Sequence, residues 1–312
     1  MIYTLTLNPS IDFNFFLDEF HEGSLNRYDD SYYFPGGKGI NVSRVLHQLN
    51  VPATALGFLG DFTGAFIESA LTDEGISHQF TPINATTRIN LKMKSHVETE
   101  INGKGPLIST KEQKALLAQL ADLTEDDTVI LSGSLPNSLP ADFYDTIIQQ
   151  ITKQGARFLL DVTGEPLQEA LPYQPFLIKP NHHELADLYQ TTFTSVAEMI
   201  PYGQDLQAKG AQHVIISLGG DGSLFFTENK VYQALPIKGE LINSVGAGDS
   251  MVAGFLAGVT LGYSPLESFK LAVASGTATA FAADLATKTE IEAMLKQVKI
   301  NSLTRKEESD EN

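Results

Sequence analysis

Residues 243–255 read N-S-V-G-A-G-D-S-M-V-A-G-F. Gly246 and Gly248 bracket Ala247, and Asp249 follows at once. Behind them Met251, Val252, Phe255, Leu256 and Val259 fall at i, i+4 and i+8 spacings, which mark one face of a helix. Two glycines and an acid therefore stand where a loop turns into a helix. Such a start presents unpaired N–H groups and the positive end of the helix dipole, which suits phosphate. Glycine lets the backbone approach an anion with no side chain between them. A carboxylate there repels phosphate unless it has a task, and the natural task is to take a proton from a hydroxyl attacking phosphorus. The stretch reads as a site of phosphoryl transfer. Taken alone it fits equally a tight turn followed by an ordinary acidic cap.

The whole chain narrows the choice. Its 312 residues give room for one large α/β domain, or one domain with an appendage. With 21 Lys and Arg against 38 Asp and Glu, the net charge is −17. That balance argues against nucleic acid or an anionic membrane as partner. It also means that any phosphate site is built locally, from a few cations and backbone dipoles. No cysteine is present, which excludes disulfides and thiolate metal sites and fits a reducing cytosol. The opening M-I-Y-T-L-T-L-N-P lacks the basic region and long apolar run of a signal peptide. Apolar runs elsewhere fall short of the roughly 18 residues a membrane span needs. A cytoplasmic protein is the expectation.

Strand-like and helix-like segments alternate. Strands are predicted at 2–7, 53–59, 128–131, 157–161, 176–179 and 213–217. Helices are predicted on the stripe Ile40, Val42, Val45, Leu46, Leu49 and near 65–71, 141–154, 183–189 and 197–209. The alternation predicts an α/β fold: a doubly wound, mostly parallel sheet with helices on both faces and function at the carboxyl ends of the strands. Two stretches break the rhythm. One, 13–34, is rich in aromatics and acids. The other, 87–100, reads as two short strands, with Arg88, Asn90, Lys92 and Lys94 on one face and Ile89, Leu91 and Met93 on the other. Together they predict a small β-sheet lid over the site. The expected division is an α/β core at 1–11, 36–86 and 105–303, a lid at 12–35 and 87–104, and a disordered acidic tail at 304–312.

Other constellations are ambiguous singly. Gly36, Gly37, Lys38, Gly39, Ile40, Asn41 make a second glycine-rich turn into a helix. It is not a nucleotide P-loop, because Ile40 stands where that motif needs a hydroxyl. Lys179, Pro180, Asn181 and Glu184 follow a predicted strand. Asn181 and Glu184 fit a capping box, and fit equally a pair that holds water around Mg²⁺ while Lys179 faces phosphate oxygens. Ser217-Leu-Gly219-Gly220-Asp-Gly222 suits a nucleotide edge or a plain hairpin. Ser132-Gly-Ser134-Leu-Pro ends a strand in the same manner. Adjacent His182 and His183 are expected to face apart and to be poor joint metal ligands.

Their order is more specific than any one of them. Gly-Gly-Lys-Gly-x-Asn, Ser-Gly-Ser-Leu-Pro, Lys-Pro-Asn-x-x-Glu, Ser-Leu-Gly and Val-Gly-Ala-Gly-Asp-Ser, in this sequence, resemble the PfkB, or ribokinase-like, family of sugar kinases, from residue 1 to about 300. Within it, T-L-T-L-N-P-S-I-D, T-R-I-N-L-K and E-I-N-G-K-G-P are most similar to bacterial 1-phosphofructokinases. The resemblance implies transfer of phosphate from ATP to fructose 1-phosphate, with tagatose-6-phosphate and fructose-6-phosphate kinases as the nearest alternatives. A catalytically dead sugar-phosphate-binding regulator is the remote one. It implies Asp249 as base and an anion hole at Gly246, Ala247 and Gly248. It implies sugar contacts from Asp12, Gly37, Lys38, Asn41 and Ser134, and a grip on the substrate's own phosphate from Arg88 and Asn90, with Arg27 a weaker candidate. For the nucleotide it implies Lys179, Ser217, Gly219, Gly220, Gly222, Gly248 and Ser275. For Mg²⁺ accompanying ATP it implies Asn181 and Glu184, through water. Lids of paired subunits in the family clasp, which implies a homodimer.

Overall fold

A computed structural model describes residues 1–303, so the expected tail at 304–312 lies outside the described residues. The chain divides into two compact units. One comprises Met1–His47 and Pro52–Ala156; the other comprises Gln48–Val51 and the chain from Arg157 onward.

In the first unit the strands Thr128–Ser132, Ile2–Thr6, Thr54–Leu59 and Ser77–His78 lie side by side in that order, all parallel. Thr128–Ser132 is buried at every position and Ile2–Thr6 nearly so. Such runs suit a parallel sheet, whose strands are enclosed on both faces. Helix Lys38–Gln48 buries Ile40, Val42, Val45 and Leu46, the stripe read from the sequence. Ile40 joins a core with Ile11, Ala55, Leu59, Ile67, Leu71, Ile76 and Phe80. Strand order reverses at Ile2–Thr6, since Thr54–Leu59 pairs on one side and the later Thr128–Ser132 on the other. Chain leaving such a point departs in opposite directions and opens a crevice beyond the carboxyl ends.

A separate four-stranded sheet belongs to the same unit. Its order is Ser31–Gly36, Ser10–Phe16, Arg88–Lys94, Thr99–Ile101. Ser10 lies opposite Arg88 and Asp12 opposite Asn90. On the polar face of Arg88–Lys94 the middle residues Asn90 and Lys92 are buried, while on the other face Ile89 is exposed and Met93 buried.

In the second unit Arg157–Asp161, Leu177–Ile178 and Val214–Ser217 are parallel. Ser223–Phe226, Val231–Ala234 and Ile300–Ser302 then add an antiparallel edge absent from the sequence reading. Those strands have three or four residues each, too few for a period of two to stand out. The strand expected at 176–179 shrinks to two residues, because Pro180 follows and has no N–H for a ladder. Helices Thr110–Gln119, Pro265–Ala280 and Lys288–Leu295 were also not foreseen. Each opens with a formed capping box, Ser109 with Glu112, Ser264 with Glu267 and Thr287 with Glu290. Helix Ala247–Thr260 corrects the one-faced reading of its apolar residues: it is buried continuously from Asp249 to Gly258. It packs on Pro265–Ala280 at positions with no side chain to keep the two apart, as at Gly254 against Ser275 and Gly258 against Ser268.

One contact gives a sharp test of the first sheet. Gly57 has φ +149°, and a Cβ there would stand 2.0 Å from the carbonyl oxygen of Thr6. The obstacle is backbone in a neighbouring strand, which has no way to swing aside. Gly57→Ala is expected to destabilise the protein by at least ~2 kcal/mol. Equilibrium urea unfolding measures this, and a midpoint equal to that of the parent refutes it.

Candidate functional site

The helix Ala247–Thr260 begins without a side-chain cap. Its N-cap is Gly246, held at φ +80°, the left-handed region that glycine enters without strain. Ala247 N–H reaches the Ser244 carbonyl at 3.4 Å and Ser250 N–H reaches Gly246 at 2.8 Å. The Gly248 N–H between them has no protein partner among the described residues. Asp249, the third helical residue, is 5% exposed, so an ionisable carboxyl is held in a nearly dry place at the positive end of a helix. Ser250 fixes the turn, its hydroxyl donating to the Gly246 carbonyl and sharing a hydrogen bond with Thr279, both at 2.8 Å.

Lys179 joins this turn. A Cβ on Gly248 would be 3.1 Å from its Nζ, so only a glycine lets the ammonium stand so close to the helix start. The ammonium is also 3.3 Å from Oδ1 of Asp161, and both side chains are buried. Asp161 is the last residue of Arg157–Asp161 and Lys179 follows Leu177–Ile178, so two neighbouring parallel strands deliver the pair. Asp161 was not among the sequence candidates. It merely closes a predicted strand, and no pattern around it in the sequence points to Lys179.

Asn181 and Glu184 do form a capping box: Asn181 Oδ1 accepts from the Glu184 N–H at 2.8 Å, and a Glu184 carboxylate oxygen accepts from the Asn181 N–H at 2.7 Å. The box engages one oxygen of each side chain. Ser217 is drawn to the same turn, its N–H donating to the Pro180 carbonyl at 3.1 Å. Gly219–Asp221 make a short 3-10 turn, and Ser217 through Ser223 close a hairpin, with Gly222 packed against the Ala234 carbonyl. Gly219 and Gly220 face open space. Ser275 is not brought to this surface. It is fully buried, its hydroxyl donates to the Leu271 carbonyl at 2.8 Å, and it fills the space beside Gly254. His182 and His183 do not face apart: their ring centroids are 3.9 Å apart. They open the helix His182–Leu188, where no preceding turn restricts their rotamers.

The first unit assembles a second set. Asp12 Oδ1 accepts from Ser10 at 2.8 Å and from Asn90 Nδ2 at 3.0 Å. The Asp12 carboxylate lies where a Cβ on Gly36 would be, at 2.6 Å. Gly37 and Gly39 press on Thr6, whose hydroxyl accepts from the Ile40 N–H at 3.1 Å and so seats the start of helix Lys38–Gln48. Asn41 lies one turn along, its N–H donating to the Gly37 carbonyl, and Lys38 lies beside Gly133. Ser134 is 3.3 Å from Asn8 Nδ2. Arg88 donates to the Asn8 carbonyl through Nε and Nη2, and to the Gly103 carbonyl through Nη1. Burial lowers its pKa from the ordinary value, and the charge of Asp12 opposes that shift. Asn8, which the sequence reading left out, thus ties Ser134 to Arg88 at the point where strand order reverses.

The pattern of the pfkB family carbohydrate kinases matches residues 5–304. The 1-phosphofructokinase of Bacillus subtilis is 50% identical over 303 residues, covering 97% of this chain and 100% of that protein. The D-tagatose-1-phosphate kinase of Bacillus licheniformis is 36% identical over 304 residues, again 97% and 100%. Phosphofructokinase-2 of Escherichia coli, in complex with fructose-6-phosphate, superposes with a TM-score of 0.89 at 28% identity, covering 95% of this chain and 98% of that one.

The capping box makes a separable prediction. Asn181→Ala removes the acceptor for a helix N–H and is expected to cost about 1 kcal/mol of stability. Glu184→Gln keeps the box, since glutamine serves at that position. Its unfolding midpoint in urea is expected to stay with the parent's while that of Asn181→Ala falls. Equal losses in both variants refute the assignment.

Proposed function

The chain belongs to the pfkB family of carbohydrate kinases, and from that premise we propose that it transfers the terminal phosphoryl group of ATP to D-fructose 1-phosphate, giving fructose 1,6-bisphosphate and ADP. The observation that carries this reading is the uncapped start of helix Ala247–Thr260, with a buried carboxyl at its third position and a lysine ammonium against its second. The carboxylate of Asp249 takes the proton of the attacking sugar hydroxyl. The free N–H of Gly248, the dipole of the helix and Lys179 hold the negative charge that spreads over the phosphoryl oxygens. Because these groups are fixed before the reaction, none has to reorganise during it. Asp12, Lys38, Asn41 and Ser134 are assigned to the sugar, and Arg88 with Asn90 to the phosphate it already bears. Ser217, Gly219, Gly220 and Gly222 are assigned to the nucleotide.

Magnesium accompanies ATP in this reading. Among the described residues no group of three acids or histidines is placed to hold a metal. One carboxylate and one amide, Glu184 and Asn181, suit Mg²⁺, which keeps several waters and takes further oxygens from nucleotide phosphates. When bound, the ion neutralises charge on those phosphates.

The test is kcat/KM measured side by side for fructose 1-phosphate, tagatose 1-phosphate, tagatose 6-phosphate and fructose 6-phosphate. Fructose 1-phosphate is expected to lead. The likeness to a D-tagatose-1-phosphate kinase makes tagatose 1-phosphate the second reading, and a higher value for it would replace the first. In the same assay Asp249→Asn is expected to lower kcat by about 10²–10⁴, the usual worth of a general base, with much smaller changes in either KM. A folded Asp249→Asn protein of near-normal kcat would remove Asp249 from the mechanism.

A homodimer through the lid completes the reading. Phe16, Tyr28, Tyr32 and Tyr33 are exposed on the small sheet, and Ser31–Gly36 and Thr99–Ile101 are its edge strands. Exposed aromatics beside open edges favour pairing with a second copy. Sedimentation at assay concentration is expected to give the dimer mass, and Tyr33→Asp to shift it toward monomer. A monomeric parent protein contradicts the assignment.

A further inference from the structure

The substrate's own phosphate needs positive charge, and two cations of the small sheet, Arg88 and Lys92, are already engaged. Arg88 uses three of its five N–H groups on the carbonyls of Asn8 and Gly103. Lys92 holds its ammonium 2.6 Å from the Glu100 carboxylate. Lys104 is different. It is exposed, and it makes no hydrogen bond or ion pair among the described residues, although the chain carries 38 acids.

Its backbone is nevertheless held on both sides. Before it, the Gly103 carbonyl accepts from Arg88 Nη1 at 2.9 Å, and the Gly103 N–H donates to Asn90 Oδ1 at 3.2 Å. A Cβ on Gly103 would stand 3.0 Å from the Cβ of Arg88. After it, Gly105 has φ +94°, and a Cβ there would be 2.4 Å from Oδ1 of Asn8 and 3.0 Å from Cβ of Pro136. Two side-chain-free positions therefore clamp the segment against Arg88, Asn90 and Asn8. The residue between them is one peptide, about 3.8 Å, from the Gly103 Cα and carries a flexible, strongly hydrated charge.

We propose that Lys104 is a specificity-determining residue whose ammonium binds the phosphate the sugar already bears, supplying the direct contact that the engaged fork of Arg88 only partly provides. This deepens the phosphofructokinase reading and rests on it. A lysine that served only solubility would need no pinned backbone and would lie as well on any other loop.

The experiment uses the full-length protein and its Lys104→Gln and Lys104→Arg variants, assayed with fructose 1-phosphate and Mg-ATP. Lys104→Gln is expected to raise KM for fructose 1-phosphate about tenfold or more, the effect of losing a charged hydrogen bond. Its kcat and its KM for ATP are expected to stay within about twofold, because the lost contact is made equally in ground and transition states. Lys104→Arg is expected to restore most of the loss. Thermal melting of the free variants should match the parent, since the side chain makes no bond in the free protein. An unchanged KM for fructose 1-phosphate in Lys104→Gln overturns the proposal while leaving the phosphofructokinase reading intact. A parent protein that fails to turn over fructose 1-phosphate overturns both.

Discussion

Between helices Ala247–Thr260 and Pro265–Ala280 there is no room for a methyl group at three places. A Cβ on Gly254 would be 2.5 Å from Ser275 Oγ, one on Gly258 2.7 Å from Ser268 Cα, and one on Gly276 2.4 Å from the Met251 side chain. Helix pairs separated by ordinary side chains keep their axes ~8–10 Å apart, and small residues bring them to the near end of that range. Gly276 reaches as far as the Ala247 carbonyl, so the first turn of one helix is braced by the second. Ser250 and Thr279 add a buried hydrogen bond across the pair. A turn held in this way has no need of a side-chain cap, which elsewhere contributes about 1 kcal/mol. Glycine can then occupy the cap position, and the amide of Gly248 is left for a ligand. The open start of the helix is thus a consequence of packing along its length.

Charge is handled in the same local manner. A chain of net charge −17 repels phosphate at long range, and salt screens that repulsion within roughly 8–10 Å. What binds an anion here has to act at contact. Lys179 is buried beside Asp161, a pair whose burial is costly unless both partners are well placed. The acid lies 3.3 Å from the ammonium, which stands beside Gly248. Removing Asp161 would leave a buried ammonium without this counter-ion. The lysine was visible as a candidate in the sequence and the aspartate was not, because one heads a turn-forming motif and the other merely ends a strand.

The two-layered pattern of the sequence follows from the same physics. Strand 157–161 and the stripe of Lys38–Gln48 were legible because their apolar spacing alone determines which face is buried. The antiparallel edge from Ser223 to Ala234 was not, since four-residue strands carry too little periodicity. The capping boxes at Ser109, Ser264 and Thr287 were legible in principle as S/T-x-x-E, and each begins a helix that the apolar pattern left out. At the site, Asp249 and Lys179 are candidates from type and spacing, whereas the roles of Asp12 and Arg88 rest on the resemblance. Ser275 was assigned through resemblance and sits instead inside a helix contact, where its hydroxyl is satisfied by its own helix. Asn8 and Asp161 depend on contacts with residues 80 and 18 positions away, and no local pattern announces those.

Arg88 shows how far structure and recognition can share one side chain. Its guanidinium spans the carbonyl of Asn8, just past the strand where the order reverses, and the carbonyl of Gly103, in the segment that follows the small sheet. Burial lowers its pKa and Asp12 opposes that shift, but an arginine starts from so high a value that it stays charged at any pH the fold survives. The side chain therefore fixes two pieces of backbone and still projects a full positive charge beside Asn90. A lysine in its place would keep the charge and lose the bridge, because one ammonium on a flexible stem cannot hold the planar fork's geometry. The backbone positions of Gly103 and Asn8 would then be set only by weaker contacts. At this position arginine joins two stretches of backbone that a lysine would leave unconnected.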